Sequence, residues 1–350
     1  MGRRRTPILV TALSAAVVVA AIALVVVVGG GWAPRTPAGA ASGAREPGPF
    51  RGLGTWVDAF DYVPSRQQHG APPPVTPASV ADMAALGVRT LYLQVVGPDD
   101  PAAGSVAEPV LLGEFLAAAH RSGLAVVGWY LPFLDDVDAD LAVIGAMTGF
   151  RSHGQRFDAY ALDIEWTQGV RDPDQRSAAA VSVAKHTRAL VGSGVPLGAT
   201  VYPAVQTEVL NVSLWPRFPY QRLARSVDVW MPMVYWTFRD GTYRDPAIYT
   251  AESVARLRDN LGDRRALVHP IGGIADGSTP VDGVSFLRAV RTTRSVGWSL
   301  YDFNTTASSA WPVLRAGPEA TATTTTSTTT SASTTGASVP AAGATKPSVG

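Results

Sequence analysis

The chain contains no cysteine, which excludes disulfides, thiolate nucleophiles and cysteine-ligated zinc while saying nothing about compartment. Charge is also scarce. Only 16% of the 350 residues are Asp, Glu, Lys or Arg, and the formal net charge is +1. No field of that size steers a polyanion, so a nucleic-acid partner is not expected. Lysine occurs only at positions 185 and 346, the other basic residues being Arg, which reads as compositional bias. The five histidines (69, 120, 153, 186 and 269) show neither His-x-His nor His-Glu-x-x-His spacing, so a zinc site has no support and His269 reads as a satisfied strand-end residue. The G-x-S-x-G elbow of serine hydrolases is missing, as are G-x-G-x-x-G and the phosphate-binding G-x-x-x-x-G-K-[ST]. No cofactor and no metal are therefore expected.

Both ends of the chain differ from its middle. Residues 1–7 carry Arg3, Arg4 and Arg5, and residues 8–28 form an apolar run without a charge. At the rise of an α-helix that run spans about 30 Å, the thickness of a bilayer's hydrocarbon core. The expectation is a cytoplasmic basic N-terminus and a single-pass signal anchor with everything after it outside the cytoplasm. Ala-x-Ala-like sequences such as Ala38-Gly39-Ala40 keep a cleaved signal peptide, and hence secretion, as the alternative. Residues 29–50 are rich in Gly, Ala and Pro and read as a linker. From residue 317 the chain turns to Thr, Ser, Ala and Pro, with too few large apolar residues to fold, and a disordered tail over 317–350 is expected. In an exported protein such a tail is a candidate for O-glycosylation or for a spacer across the wall.

Between the ends, over 51–316, short apolar β-type runs alternate with helical segments. Strands are expected at 53–60, 88–95, 124–131, 157–166, 197–202, 227–236, 266–271 and 296–303. Helices are expected at 77–86, 110–122, 139–150, 175–191, 219–225, 247–261 and 281–293, several of them ending at a glycine such as Gly87, Gly123 or Gly192. Near-continuous apolar strands separated by helices call for a parallel sheet covered on both faces. Eight of them in one domain call for an α/β fold of the (β/α)8 TIM barrel type. A doubly wound open sheet is the alternative, and it would ordinarily carry one of the missing glycine-rich loops.

The most informative stretch is the fourth strand, which ends Asp163-Ile164-Glu165. Side chains alternate along a strand, so the two carboxylates share one face, with Ala159 and Ala161 leaving room beneath them. Two carboxylates side by side in a protein interior raise at least one pKa, the condition a general acid needs near neutral pH. The plainer reading is a strand-end Asp and Glu engaged in ion pairs or capping. Glu165 is one of seven glutamates and the only one inside an expected strand. Barrel chemistry sits at the C-terminal ends of the strands, and those ends are rich in aromatic and polar groups: Trp56 and Asp58, Gln94, Trp129 and Tyr130, Tyr202 with Thr200 nearby, Met233, Tyr235 and Trp236, then Tyr301 and Asp302. Aromatic faces beside carboxylates and hydroxyls suit a sugar, so these residues are the expected substrate contacts. The acidic cluster from Asp135 to Asp140 lacks the glycine turn and distal Glu of a calcium loop and reads as a solvated loop leading into a helix N-terminus.

The fourth strand resembles that of the family 18 glycoside hydrolases, the chitinase-like enzymes, whose motif runs D-x-x-D-x-D-x-E. Asp158, Asp163 and Glu165 stand in register with it, and Ala161 replaces its second Asp. The sixth strand resembles the same family's M-x-Y-D in Met233-Val234-Tyr235, with Trp236 in place of the Asp. The resemblance implies that Glu165 protonates the leaving oxygen, that Asp163 orients an attacking N-acetyl group, and that Tyr235 holds the acetamido oxygen. A weaker resemblance, to the family 25 lysozyme-like barrels, rests on the same D-x-E strand and on Asp58, which with Asp163 would assist Glu165. Both families imply a β-linked amino-sugar polymer. The expectation is a monomeric, extracytoplasmic, membrane-anchored glycosidase acting on a polysaccharide such as peptidoglycan or a chitin-like glycan. A barrel that binds glycan or organises the wall without cleaving it is the opposing expectation, and Ala161 is its main support.

Overall fold

A computed structural model describes residues 47–96 and 105–321. The expected basic arm (1–7), the membrane anchor (8–28), the linker up to residue 46 and the tail from residue 322 lie outside the described residues. No helix among the described residues is long and apolar enough to cross a membrane.

Nine strands form one sheet: β1 Gly52–Val57, β2 Thr90–Gln94, β3 Ala125–Tyr130, β4 Ala159–Ile164, β5 Leu197–Val201, β6 Val229–Val234, β7 Leu267–Val268, β8 Ile271–Gly273 and β9 Gly297–Tyr301. All neighbours are parallel. β7 and β8 share one position, since both pair with β6, and the break between them falls at His269-Pro270. Proline has no N–H to give to a ladder, which accounts for the interruption of the expected seventh strand. With β5 paired to β6 and β1 to β9, the sheet closes into an eight-position parallel barrel. The expected α/β barrel is the observed one.

The helices follow a repeated local grammar. Asp172 and Asp245 each accept two backbone N–H bonds from the first turn of a helix that begins with proline, α5 Pro173–Val191 and α7 Pro246–Leu261. Thr279 and Asp282 form a capping box at α8 Pro280–Thr292. Such caps satisfy donors that a helix start leaves open, and proline at the first position gives up an N–H that has no partner there. Asp136 caps α4 Val137–Gly149 in the same way, so the acidic cluster is a loop and helix start as expected. Within it Asp140 turns inward and accepts bonds from Tyr130 Oη at 2.8 Å, Phe133 N at 3.0 Å and Leu134 N at 2.9 Å. A further helix, Trp311–Ala320, follows β9 and was not expected from the pattern. It runs past the expected start of the tail at residue 317, crossing Gly317 at φ 75°.

Two apolar layers result. One lies between the strands and the surrounding helices. The other fills the barrel with Phe50, Trp56, Tyr92, Val127, Trp129, Ala159, Ala161, Val229, Met231, Met233 and Ile271. Phe50, in the 3-10 turn Gly48–Phe50 ahead of β1, plugs the lower end, and the barrel makes room for it with glycine. A Cβ on Gly198 would stand 2.7 Å from the Phe50 ring, and one on Gly297 would stand 2.3 Å from His269 Nδ1.

Candidate functional site

The upper end of the barrel, where the strands terminate, opens into a cavity of about 220 Å3 lined by Trp56, Asp58, Gln94, Trp129, Asp163, Glu165, Met233, Tyr235 and Tyr301, with Phe60, Leu131, Thr200 and Ile271 completing the wall. Pockets that enclose drug-sized ligands start at roughly 300 Å3. This cavity can therefore take one ring or side group, and a polymer would have to lie across its mouth.

β4 supplies the carboxylates. Ala159, Ala161 and Asp163 face inward at alternate positions, and Glu165 follows in the first residues beyond the strand. Burial pushes the Asp163 carboxyl well above the usual carboxylate range, and the neighbouring Glu165 pushes it further. Burial also raises Glu165. The pair thus retains a proton to higher pH than an ordinary carboxylate, and that proton belongs to both. Asp158, in register with the resembled motif, lies below the cavity and holds neighbouring elements together, accepting from Val126 N at 2.8 Å and contacting His120 Nε2 at 3.0 Å.

Across the cavity an aromatic wall faces the acids. Tyr235 and Tyr301 have ring centroids 6.2 Å apart, and Tyr301 stands 6.2 Å from Trp56. Burial first, and nearby carboxylates second, hold both tyrosines well above the usual phenol range, so they remain O–H donors. Tyr301 donates to Asp58 Oδ2 at 2.7 Å. The other Asp58 oxygen accepts from Phe60 N at 2.8 Å and Asp61 N at 3.2 Å, capping the short helix α1 Ala59–Tyr62. That cap ends the first strand at Val57, three residues before the expected end. Gln94 Oε1 takes Ala59 N at 2.8 Å, which ties β2 to the same turn.

Beneath the cavity a buried chain of bonds fixes its floor. Trp56 Nε1 donates to Ser299 Oγ at 2.9 Å, Ser299 Oγ meets His269 Nε2 at 3.0 Å, and His269 Nδ1 meets the Phe50 carbonyl at 2.9 Å. Trp56 also stacks on Tyr92 with centroids 4.3 Å apart. His269 is a satisfied core residue, as expected.

Four expected contacts lie elsewhere. Tyr130 follows Trp129 on one strand, so the two cannot share a face; its side chain turns to the outer layer and bonds Asp140. Trp236 is fully buried behind the sheet against Phe286, because β6 ends at Val234 and the chain enters a 3-10 turn. Asp302 points away from the cavity and accepts from Thr305 N and Oγ1, both at 2.9 Å. Tyr202 is half-buried beside the cavity; burial, then Glu165 and Asp163, raise its phenol to about 12. Thr200, expected at the end of the fifth strand, lines the cavity, whereas Phe60, Leu131 and Ile271 were outside the expected contact set. Alternation from Trp129 and Tyr202 marks Leu131 and Thr200 as inward-facing, whereas Phe60 depends on the turn that Asp58 creates.

Among the described residues, Asp58, Asp61 and Asp302 bring one carboxylate oxygen each within 4.8 Å of one another. Protein donors already occupy this group, and burial followed by repulsion from Asp302 and Asp58 raises Asp61 to about 7.

No protein-family model and no curated protein matches the chain. Solved structures share its fold at low identity. The glycoside hydrolase domain of PgaB (BpsB) from Bordetella bronchiseptica is 12% identical with a TM-score of 0.52, over 73% of this chain and 95% of that one. The spore cortex-lytic enzyme SleL from Bacillus megaterium QM B1551 is 8% identical with a TM-score of 0.54, over 76% of this chain and 74% of that one. A GH18 chitinase from Pseudoalteromonas aurantia is 11% identical with a TM-score of 0.53, over 77% of this chain and 99% of that one. The resemblance read from β4 and β6 thus points to structures of the same barrel architecture.

Proposed function

We propose that this protein is an extracytoplasmic glycoside hydrolase, held to the membrane by residues 8–28, that cleaves a polysaccharide built from β-linked amino sugars. The observation that carries the reading is the pair Asp163 and Glu165 at the cavity wall, both raised by burial and facing tyrosines that remain protonated. Glu165, the more exposed of the two, is the general acid that gives its proton to the leaving glycosidic oxygen. Asp163, buried beneath it, accepts a hydrogen from the sugar's acetamido nitrogen and so turns the acetamido oxygen toward the anomeric carbon; Tyr235 donates to that oxygen. Trp56 and Trp129 supply apolar faces for the ring. The fold similarity to a chitinase and a cortex-lytic enzyme is in keeping with this substrate class, as is an exported site that meets cell-wall glycan.

The test is release of reducing ends by the full chain from peptidoglycan, chitin oligosaccharides and other polysaccharides, beside a Glu165→Gln control. Release that the control lacks is the expected result. Binding without release, unchanged in Glu165→Gln, would replace the enzyme reading with that of a glycan-binding barrel.

A further inference from the structure

The net charge of +1 conceals a division of charge between the two ends of the barrel. Helix-capping aspartates and the carboxylates around the cavity gather at the upper end, where strands run into helices. At the lower end, where helices run back into strands, arginine prevails. Arg89, Arg121, Arg156, Arg225, Arg264 and Arg294 stand ahead of β2, β3, β4, β6, β7 and β9, and all six are exposed. Closure of the sheet spreads them as a ring around the lower rim. None of the six has an ion-pair partner among the described residues. The acids of that rim are fewer and partly engaged: Asp228 pairs with Arg188, Asp158 contacts His120, and Asp263 accepts from Arg265 N, which leaves Asp259 and Glu319. Ahead of β5, where the ring lacks an exposed arginine, Leu190 near the end of α5 is 53% exposed.

A guanidinium stays charged at any physiological pH and meets phosphate through a fork of N–H groups. Six of them spread around a rim suit a flat anionic surface better than one compact anion. An exposed leucine among them suits a lipid interface, where cations meet headgroups and an apolar side chain reaches the acyl boundary. The described chain also begins at this end, at Pro47, just ahead of the Phe50 plug. Residues 29–46 separate Pro47 from the apolar run 8–28, and that many residues extend to at most about 60 Å. A bilayer that holds the run is therefore always within reach of the barrel, at high effective concentration.

We propose that the lower, arginine-ringed end of the barrel docks on an anionic phospholipid surface and so turns the cavity away from the membrane, toward the glycan. The proposal rests on the membrane anchor in the reading above and is independent of the chemistry at Glu165. Each basic side chain at such a surface strengthens binding severalfold, so the contact needs lipid charge and weakens with salt.

The test exploits the absence of cysteine, which allows one label to be placed at will. The full chain carries a fluorophore either at Ala224→Cys, on the lower rim, or at Thr242→Cys, in the exposed loop after β6 at the cavity end. It is reconstituted in phosphatidylcholine vesicles with or without phosphatidylglycerol, each containing a headgroup quencher. Position 224 should be quenched only where phosphatidylglycerol is present, with recovery in high salt, and position 242 should stay bright throughout. Combining Arg156→Gln, Arg264→Gln and Arg294→Gln should lower the ratio of docked to free barrel by roughly a hundredfold. Equal quenching at both positions, quenching that ignores phosphatidylglycerol, or quenching unchanged in the triple variant overturns the proposal. Binding of soluble poly(glycerol phosphate) that the triple variant loses, without quenching on anionic vesicles, also overturns it and assigns the rim to a wall polymer. A full chain that washes off phosphatidylcholine vesicles overturns the anchor instead; anionic vesicles added to the free protein then decide the docking with the same two labels.

Discussion

His269 makes the pH dependence of stability a direct test of the barrel interior. The ring has no solvent exposure, and the chain from the Phe50 carbonyl through His269 and Ser299 to Trp56 is satisfied by a neutral imidazole with its proton on Nδ1. Burial lowers its pKa from 6.5 to about 4, with the bond to the Phe50 carbonyl opposing the shift. Between those values the unfolded chain binds a proton that the native state does not. Stability is therefore fully present above pH 6.5 and is lost as pH falls toward 4. A gap of about 2.5 units at roughly 1.4 kcal/mol each amounts to about 3 kcal/mol.

Buried carboxylates move the other way. Asp61, raised from 3.8 to about 7, is protonated in the native state where the unfolded state has ionised, so its contribution weakens as pH rises from 3.8 to 7. The wild-type curve mixes both signs, and a variant separates them. His269→Gln keeps a side chain that both donates and accepts and removes the titration. Urea unfolding of both proteins should find the variant less stable at pH 7, with the deficit shrinking by about 3 kcal/mol by pH 4. A deficit that stays constant over this range, or a His269 ring that titrates near 6.5 by NMR, would mean that burial does not hold the imidazole neutral.

Replacing Glu165 by Gln should reduce glycan hydrolysis by at least roughly a hundredfold, measured as reducing-end release, while folding is unchanged. Asp163→Asn removes a carboxylate whose raised pKa makes the native state increasingly costly above pH 3.8. That variant should be the more stable one, its advantage growing by up to about 1.4 kcal/mol per pH unit from pH 3.8 to the native pKa, and it should be inactive; urea unfolding between pH 4 and 8 checks the first part. Asp140→Ala leaves the Tyr130 hydroxyl and two backbone N–H groups without their acceptor, for a loss of about 3 kcal/mol in urea unfolding with little effect on activity, since Asp140 lies outside the barrel. Ala161→Asp restores the carboxylate of the resembled motif beside the Trp129 indole. It should cost about 3 kcal/mol through crowding and an unpaired buried charge, and bring no gain in hydrolysis.

Eight apolar runs separated by helical segments placed the barrel, because a strand covered on both faces leaves a signal that local context seldom hides. Elements whose cause is local were less legible. The turn at Asp58 interrupts a run that reads as strand through Phe60, and only a side-chain cap on two backbone N–H groups reveals it. The last helix carries Pro312, Gly317 and Pro318, residues that signal breaks, and it is held instead by Trp311 and Leu314 in the core and by Trp298 Nε1 on the Leu314 carbonyl. In the site, alternation explains both success and failure. Trp56, Gln94, Trp129, Asp163, Met233, Tyr235 and Tyr301 share the inward parity of their strands and reach the cavity, whereas Tyr130, Trp236 and Asp302 have suitable chemistry at positions of the opposite parity.

The two departures from the resembled motifs consequently have different meanings. Trp236 replaces an Asp at a position whose side chain leaves the cavity, fills the space beside Gly272 and packs against Phe286; it changes the core and leaves the cavity wall as Met233 and Tyr235 set it. Ala161 lies inside the barrel, and its effect is on charge. With Asp there, three carboxylates would share one face of β4, and mutual repulsion would oppose the ionisation of all of them. With Ala, the layer beneath Asp163 is filled by Trp129 in contact with Trp56, and only two acids remain. A low-dielectric floor strengthens every charge effect above it, and burial is accordingly the first cause of the raised pKa of both acids, with Glu165 adding to it at Asp163.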